Sequence, residues 1–438
     1  MNLSRDVRFG ARLALSHGGG LLLAAAGDPL LRLLHRPWNG DPGRIHRQLR
    51  DGPQPFASRS GVLVVATAAA CQEVVRDRRY GVRTRAGGTP GGAVAGARDP
   101  LLEPVDLSFL GLDPPEHTRL RRLVAGAFTP ARVSARDAFV TGLAERLVDG
   151  AVRQGRFDLV AAVAVPLSVA VIADILGVPD ADAAAFARWG RSVGAALGGV
   201  RSLRALHRLD RAVAALRGLL GELIDRRRAD GADPAEDVLG RLAAPDVEHE
   251  EAVSLAVLLL LAGFETTSGL IGNAVAAMLD AGAPWHELAA DPAGVAPAVV
   301  EETLRLDPPV QVTARVPHVE VELAGRLVAP DTTVLAMLGA AGRDPAVHAR
   351  PDEVDLGRAT TPGHLAFSGG IHHCLGASLA RLEAGAALRA LAARVPGLRR
   401  LPGSVRRRSL LLSEYHRLPL ASGGPGAITV SSVPARCC

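Results

Sequence analysis

The sequence Phe367-Ser368-Gly369-Gly370-Ile371-His372-His373-Cys374-Leu375-Gly376 stands directly before an Ala/Leu-rich helical pattern that runs from Ala377 to Ala393. Cys374 is therefore expected at a helix N-terminus, where partial positive charge and free amide groups favour a thiolate over a thiol. The glycines let the backbone approach a large planar ligand that a Cβ atom would push away. A lone thiolate is a good soft metal ligand and suits haem iron. The alternative is an ordinary buried cysteine beside a glycine turn.

The spacing of this stretch resembles the haem-ligating signature of the cytochrome P450 family. The matching positions are Phe367, Gly370, His372, Cys374 and Gly376. The resemblance implies haem b with Cys374 as the axial ligand and the other four residues around the cofactor. Two residues depart from the commonest pattern: Ser368 replaces a Gly, a change that we expect to be tolerated, and His373 replaces an apolar residue. We expect His373 at most to tune hydrogen bonding around the sulfur.

Composition favours a folded protein with a large core. The 438 residues are 48% hydrophobic and 22% charged, which is typical of a globular chain. All 50 basic residues are Arg, which together with abundant Ala, Gly and Pro indicates the codon bias of a GC-rich genome. The net charge of +5 is compatible with an acidic protein partner. No feature suggests nucleic-acid binding.

The sequence favours a cytoplasmic protein. The apolar runs, such as Leu255–Phe264, fall short of the ~20 residues that cross a bilayer, so we expect no stable membrane insertion and interpret this run as part of a core helix. Four cysteines do not make a disulfide framework. We expect Cys71 to be buried and inert, and Cys437 and Cys438 to be exposed.

The pattern along the chain predicts a mainly α fold with a small β region, in one large domain. We expect residues 1–40 to form a loosely attached lead-in and residues 41–438 the main domain. Helical patterns dominate from Asp113 to Leu306, and residues 81–104 form a long loop, which in a compact domain is usually functional. The predicted strands are Val62–Val65, Val312–Val316, Val319–Leu323 and Thr332–Leu338. This mixture agrees with the cytochrome P450 fold that the resemblance implies.

Ala262-Gly263-Phe264-Glu265-Thr266-Thr267 lies in the middle of a long helical pattern from about residue 247 to 279. Gly costs about 1 kcal/mol relative to Ala in a helix, and an unpaired buried carboxylate costs more, so this conflict with propensity marks a functional site. The alternative is an exposed polar turn on an amphipathic helix. The segment resembles the oxygen-activating segment of the family. That resemblance implies that Ala262 and Gly263 lie over the haem, that Thr266 holds oxygen and water, and that Glu265 exchanges protons with solvent.

Glu301-Glu302-Thr303-Leu304-Arg305 places Glu302 and Arg305 three residues apart, within pairing distance on one helix face. A surface pair of this kind is common and contributes little. It resembles the Glu-x-x-Arg motif of the family, and Arg358 stands where its third member belongs. We expect these residues to form a structural network that holds the loop before Cys374.

Four cationic or donor residues fall where the family places the partners of the haem propionates. They are His117, Arg121, Arg315 and His372. His117 and Arg121 share a helix face, and buried carboxylates need such partners. Taken singly, each of these arginines is better explained as a solvated side chain.

The resemblance implies a soluble bacterial haem-thiolate monooxygenase that uses dioxygen to oxidise a small apolar organic substrate. The sequence contains no fused flavin or iron–sulfur module, so we expect electrons from a separate ferredoxin and ferredoxin reductase. Arg119, Arg122 and Arg132 form a candidate docking patch for an acidic ferredoxin. Two alternatives remain: a non-oxygenating or peroxide-driven haem-thiolate enzyme, and a haem-binding sensor or carrier without turnover. The pair Glu265-Thr266 argues against both, because neither needs proton delivery.

Overall fold

Helices dominate the architecture, as the sequence predicted. The computed structural model describes residues 17–35, 42–88, 108–179, 188–189, 202–231, 233, 237–359, 363–408 and 410–422. Residues 17–25 are helical, and the further helices that we label are α1 Pro29–Leu34, α2 Pro42–Asp51, α3 Ala68–Arg76, α4 Glu116–Ala125, α5 Pro130–Ser134, α6 Asp137–Val152, α7 Val165–Leu176, α8 Leu203–Ala229, α9 Val238–Leu242, α10 His249–Ala281, α11 Ala283–Ala290, α12 Pro292–Leu306, α13 Leu338–Ala341 and α14 Ala377–Arg394. Short 3-10 turns lie at Phe109–Gly111, Gly126–Phe128 and Gly370–His372, and a π-helical turn at Val160–Ala164 precedes α7.

A small sheet joins the two ends of the chain, which also agrees with the prediction. The strands are β1 Phe56–Ala57, β2 Leu63–Val65, β3 Tyr80–Gly81, β4 Arg156–Asp158, β5 Thr313–Pro317, β6 Val321–Leu323, β7 Arg326–Val328, β8 Val334–Ala336, β9 Arg399–Arg400, β10 Val405–Arg408, β11 Ser413–Arg417 and β12 Pro419–Ala421. The five-stranded sheet has the order β1-β2-β8-β5-β3, with β2 and β8 parallel and paired Leu63 to Val334. The β5–β8 part of this sheet precedes the cysteine loop in sequence.

The long helix α10 forms the centre of the molecule. It packs against α7, α8, α12 and α14. By length and composition, α10 is long and apolar enough to span a membrane. The apolar run Leu255–Phe264 alone did not suggest this. However, 83% of the most apolar window of α10 is buried within the protein. It is therefore the core helix that the sequence predicted.

The described part of the N-terminal segment is packed into the fold, and the expectation of a loosely attached lead-in was wrong for it. Leu30 and Leu33 of α1 are buried in one cluster with Val64 of β2 and Met337 beside α13. Asp28 caps α1 through Leu31 N–H and also accepts a hydrogen bond from the Ser58 hydroxyl. These contacts hold the described residues before position 40 against the rest of the fold.

A hairpin of β10 and β11 near the C-terminus was not predicted from the sequence. Its strands pair antiparallel, with Arg407 opposite Glu414. The Asn273 side-chain amide of α10 donates to the carbonyl oxygens of Asp307 and Ser413, which fixes the hairpin against the central helix. The hairpin thereby brings charged side chains to the middle of α10.

Candidate functional site

The cysteine loop has the tight backbone that its glycines predicted. Gly370 has a φ of 63°, and a Cβ atom there would lie 2.6 Å from the carbonyl oxygen of Val75, so only glycine fits. The N–H of Cys374 donates to the carbonyl of Phe367 over 2.9 Å, and α14 begins three residues after Cys374, at Ala377. The loop is therefore closed on itself directly before the helix.

Cys374 is exposed as a side chain, yet protein surrounds it densely enough to affect its ionisation. Burial raises the pKa of the thiol, while the backbone of Gly376 and the charges of Arg121 and Arg381 act in the opposite direction. Desolvation is the larger of these effects, and the groups that favour the thiolate act against it. A metal cation bound to the sulfur would reverse this balance.

Two of the four predicted propionate partners are in contact, and the other two lie close enough for their charges to act on them. The rings of His117 and His372 are 4.5 Å apart. Arg315 is only 4% exposed, and its charge and that of Arg121 both act on His372. Arg121 also donates to the carbonyl of His373 over 2.7 Å, which ties α4 to the cysteine loop.

The electrostatics of this group indicate a missing anion. Burial, followed by the charges of Arg315, His117 and Arg121, lowers the pKa of His372 to about 3. Burial also lowers the pKa of Arg315 to about 10. Within the part of the chain that the structure describes, both ring nitrogens of His117 and Nε2 of His372 are buried without a hydrogen-bond partner, apart from a weak contact of His117 with the Ile371 backbone. A ligand with two carboxylates would satisfy these donors and charges, so the residues present fit haem b.

The middle of α10 presents an accessible face within a buried helix. Ala262 is exposed and Thr266, one turn later, is half-buried, whereas Leu261, Phe264 and Thr267 are buried. The Thr266 hydroxyl donates to the carbonyl of Ala262 over 2.7 Å. This bond fixes the hydroxyl proton and leaves the oxygen lone pairs available on the accessible face.

Gly263 is half-buried beside Ala262 on this helix. A Cβ atom at this position would meet the Ile172 side chain of α7 at 2.9 Å. The missing side chain therefore lets α7 pack closely against α10. Its expected position over the haem stays a prediction.

Glu265 is held by the β10–β11 hairpin. It is 8% exposed, and its Oε2 accepts a hydrogen bond of 2.7 Å from Arg407 of β10. Arg407 forms a second ion pair with Glu414 of β11. Burial raises the pKa of Glu265, and Arg407 opposes this rise. The Glu265 carboxyl therefore lies inside a buried ion cluster, and its exchange of protons with solvent stays a prediction.

Arg407 and Glu414 are residues of the candidate site that sequence reasoning missed. The available signal was the run Arg406-Arg407-Arg408 close to the C-terminus, since a buried carboxylate such as Glu265 needs a cation. The partner on the hairpin could not be chosen from sequence alone. We refer to Glu265, Arg407 and Glu414 as the hairpin cluster.

The Glu302 network has the composition that the sequence predicted. Arg305 donates to both carboxylate oxygens of Glu302, over 2.7 and 2.8 Å, and Arg358 donates to Oε1 over 3.2 Å. All three side chains are largely buried. Arg305 also donates to the carbonyls of Gly342, Pro351 and Glu353, so the network fastens the segment that precedes the cysteine loop.

The remaining predictions concern the long loop, the last two cysteines, the docking patch and Cys71. Residues 89–107, which include most of the predicted loop over the pocket, lie outside the described residues, as do Cys437 and Cys438. In the candidate docking patch, Arg119 is ion-paired with Glu251 of α10. Cys71 is fully buried with a raised pKa, as an inert cysteine should be.

Comparisons with known proteins agree with this site. The family model for cytochrome P450 matches residues 295–392. Cytochrome P450 monooxygenase PikC of Streptomyces venezuelae is 39% identical, over 66% of this chain and 69% of PikC. The 6-deoxyerythronolide B hydroxylase of Saccharopolyspora erythraea is 36% identical, over 71% of this chain and 77% of that protein. The crystal structure of ligand-free CYP164A2 from Mycobacterium smegmatis matches with a TM-score of 0.79 and 37% identity, covering 90% of this chain and 99% of that one.

The fold and the cysteine loop define a haem-thiolate protein. The chain belongs to the cytochrome P450 family, and the predicted fold class is confirmed. It is a monooxygenase with haem b as its cofactor and Cys374 as the axial thiolate. Like the family, it uses dioxygen and redox partners, and its fold is that of a soluble protein.

Proposed function

We propose that this monooxygenase oxidises a small apolar organic substrate in the cytoplasm, with electrons from a separate ferredoxin and its reductase. Haem b supplies the dioxygen chemistry, in which one oxygen atom enters the substrate and the other leaves as water. Leu258 and Leu261 are buried and aliphatic and lie within about one turn of Ala262 on α10, which supports an apolar substrate. We further propose that residues 41–438 form the functional haem domain, with residues 29–34 packed onto it.

We assign proton delivery to Thr266 and the hairpin cluster. The observation that supports this assignment is a hydrogen bond from the Thr266 hydroxyl to the Ala262 carbonyl. It lies on the accessible face of an otherwise buried helix. Because its proton is engaged there, Thr266 Oγ1 accepts a hydrogen bond from a water molecule and orients that water. Glu265, which Arg407 holds in the hairpin cluster, is the acid that we assign to this relay.

The remaining site residues bind the haem and position the loop that carries Cys374. Arg121 and Arg315 would balance the charges of the two propionates, and His117 and His372 would donate hydrogen bonds to them. The burial of His117 and Arg315 would keep water from these charges. Phe367, Gly370 and Gly376 shape the loop around the Cys374 sulfur, while Ala262 leaves room on the opposite side. Glu302, Arg305 and Arg358 hold the preceding segment and take no part in the chemistry.

The test compares Thr266→Ala with Thr266→Ser in a reconstituted assay with a surrogate ferredoxin, a reductase and NADH. We expect the Ala variant to consume NADH but to lose product per NADH by at least about tenfold, with the balance released as peroxide, whereas Ser retains coupling. Thr267→Val is the matched control, because Thr267 is buried one residue away.

The same assay separates the alternative functions. A peroxide-driven enzyme would form product from hydrogen peroxide with no effect of Thr266→Ala, and a sensor or carrier would consume no NADH with any bound compound. A substrate is first selected by a screen for shifts of the haem Soret band across lipids, terpenoids, macrolides and aromatic compounds. Failure of every apolar class in that screen would reject the substrate proposal.

A further inference from the structure

Glu301, the residue before Glu302, belongs to a separate ion cluster on the other side of α12. Arg381 of α14 donates to both of its carboxylate oxygens, over 2.6 and 3.1 Å. The Nε2 of His364 lies 3.2 Å from Oε2 of Glu301. Burial opposes ionisation of Glu301, but the hydrogen bonds from His364 and Arg381 outweigh it and lower the pKa of Glu301 to about 2. We refer to Glu301, His364 and Arg381 as the Glu301 cluster.

The cluster has one defined protonation pattern. The N–H of Ala366 donates to Nδ1 of His364 over 3.2 Å, so Nδ1 is an acceptor and carries no proton. The proton of a neutral His364 therefore lies on Nε2, which faces the Glu301 carboxylate. Glu301 thus accepts hydrogen bonds from one imidazole and one guanidinium, and it remains a carboxylate at neutral pH.

The cluster contacts the cysteine loop through Phe367. The guanidinium carbon of Arg381 lies 4.6 Å from the centroid of the Phe367 ring, within cation–π distance, and the His364 ring lies 5.8 Å from it. The carbonyl of Phe367 accepts the N–H of Cys374. A displacement of Arg381 or Phe367 would therefore be transmitted to the backbone that presents the sulfur.

The cluster also controls charge close to the sulfur. The charges of Arg381 and Arg121 both act on the Cys374 sulfur. The Arg381 charge has a direct counterion in Glu301, whereas Arg121 donates to a backbone carbonyl. The compensation of Arg381 by Glu301 thus sets the net charge on the α14 side of the sulfur.

We propose that the Glu301 cluster positions Cys374 and sets the reduction potential of the bound haem, with Glu301 holding Arg381 against Phe367 and neutralising its charge beside the thiolate. Glu301, His364 and Arg381 are positioning residues that act through Phe367 and Cys374. The inference rests on Cys374 as the axial ligand. It does not depend on the roles proposed for Thr266 and the hairpin cluster.

The proposal predicts that Glu301→Gln and Arg381→Gln shift the haem reduction potential in opposite directions. Ferrous haem carries one more negative charge than ferric haem. Glu301→Gln leaves the Arg381 charge uncompensated, which stabilises the ferrous form and shifts the potential in the positive direction. Arg381→Gln leaves the Glu301 carboxylate uncompensated and shifts it in the negative direction. The double variant returns close to the parent. Both side chains are partly exposed, so added salt reduces the two single-variant shifts.

The experiment is a spectroelectrochemical titration of the substrate-free, haem-loaded protein at low and high salt. The carbon monoxide difference spectrum of each variant verifies that sulfur ligation is intact. Arg389→Gln is the matched control, since Arg389 lies two turns further along α14 and contacts Thr141 of α6, and its potential should equal that of the parent. Shifts of the same sign in both single variants, or none in either with sulfur ligation intact, would overturn the proposal.

If one of the neutral variants, Glu301→Gln or Arg381→Gln, does not fold, two further variants still test the proposal. Arg381→Lys and Glu301→Asp each retain their charge but not the two-point contact. The proposal predicts a potential near that of the parent for both, together with faster haem loss because the loop is held less firmly. A potential shift in these charge-preserving variants as large as in a folded neutral variant would contradict the charge-setting role. Because no turnover is measured, failure here leaves the proposed proton delivery untouched, and the reverse also holds.

Discussion

Ser368 has a φ of 58°, in the left-handed region where glycine is favoured and other residues are strained. Its hydroxyl accepts a hydrogen bond of 3.3 Å from Arg315, one of the propionate partners. We therefore expect Ser368→Gly to relieve strain and to remove an anchor. The apoprotein should gain up to about 1 kcal/mol of unfolding free energy. Haem dissociation, measured by transfer to apomyoglobin, should accelerate about fivefold, which corresponds to about 1 kcal/mol.

Ser368→Ala separates these two effects, because alanine retains the strained backbone and lacks the hydroxyl. Its haem dissociation should match that of the Gly variant, while its apoprotein should be less stable than that variant. If Ser368→Ala released haem at the rate of the parent, the contact with Arg315 would have no anchoring role. The sequence identified Ser368 as a departure, and the structure supplies the reason why glycine is usual there.

The residue types of the site were predictable from sequence, but the directions of their side chains were only partly so. Successive residues on an α-helix point about 100° apart, so Glu265 and Thr266 do not face the same space. Thr266 lies on the accessible face of α10, whereas Glu265 points to the hairpin and Gly263 toward α7. A family motif records which chemistry is present. Only the packing of neighbouring elements decides which residue of the motif faces the cofactor.

The Glu383 carboxyl group is buried between α7 and α14. The groups that affect its pKa include no cation. Glu383 is 1% exposed, and its pKa is raised well above the ordinary value by burial, with only a weak hydrogen bond from Ser168 in opposition. Neither Glu383 Oε2 nor Ser168 Oγ has a partner in good geometry. Burial therefore favours the neutral form of Glu383, and Glu383→Gln should preserve its shape and polarity.

The pH dependence of stability follows from the direction of this shift. A raised pKa in the folded state means that the folded protein retains a proton that the unfolded chain releases. The stability contributed by Glu383 is therefore complete below its unfolded pKa and is lost as the pH rises through its folded pKa. Glu383→Gln cannot ionise, so its denaturant midpoint should match that of the parent at pH 4.5 and exceed it increasingly toward pH 9. A constant difference across this range would show that the pKa of Glu383 does not change on folding.

At the scale of elements, the sequence predicted what local periodicity and spacing encode. The core helix, expected over about 247–279, is observed as α10 over 249–281, and the Glu302 network assembles because two of its members share one helix turn. The β10–β11 hairpin was missed, since its strands are short and rich in Arg and lack apolar alternation. Its position depends on Asn273 of α10, which lies 140 residues from Ser413, and no local pattern reports such a contact.

At the scale of the whole molecule, the net charge is +5. Its effect on an acidic partner depends on which face near the cofactor is basic. Helix α4 contacts the cysteine loop through Arg121, and Arg122 is exposed on the same helix. Arg132 is exposed on α5, whereas the charge of Arg119 is compensated by Glu251. The candidate docking patch is therefore narrower than the sequence suggested, and Arg122 and Arg132 dominate it.

Charge reversal at Arg122 and Arg132 tests this narrower patch. Electrostatic attraction accelerates the encounter of complementary proteins and weakens as salt increases. We expect Arg122→Glu and Arg132→Glu each to lower the second-order rate of haem reduction by an acidic ferredoxin about tenfold at low ionic strength, with a smaller loss at high salt. Arg119→Gln should have a lesser effect, because it removes a charge that Glu251 already compensates. Equal stopped-flow rates for the parent and both reversal variants at low salt would place the electron-transfer surface elsewhere, since a docking face beside the cysteine loop cannot be indifferent to two reversed charges.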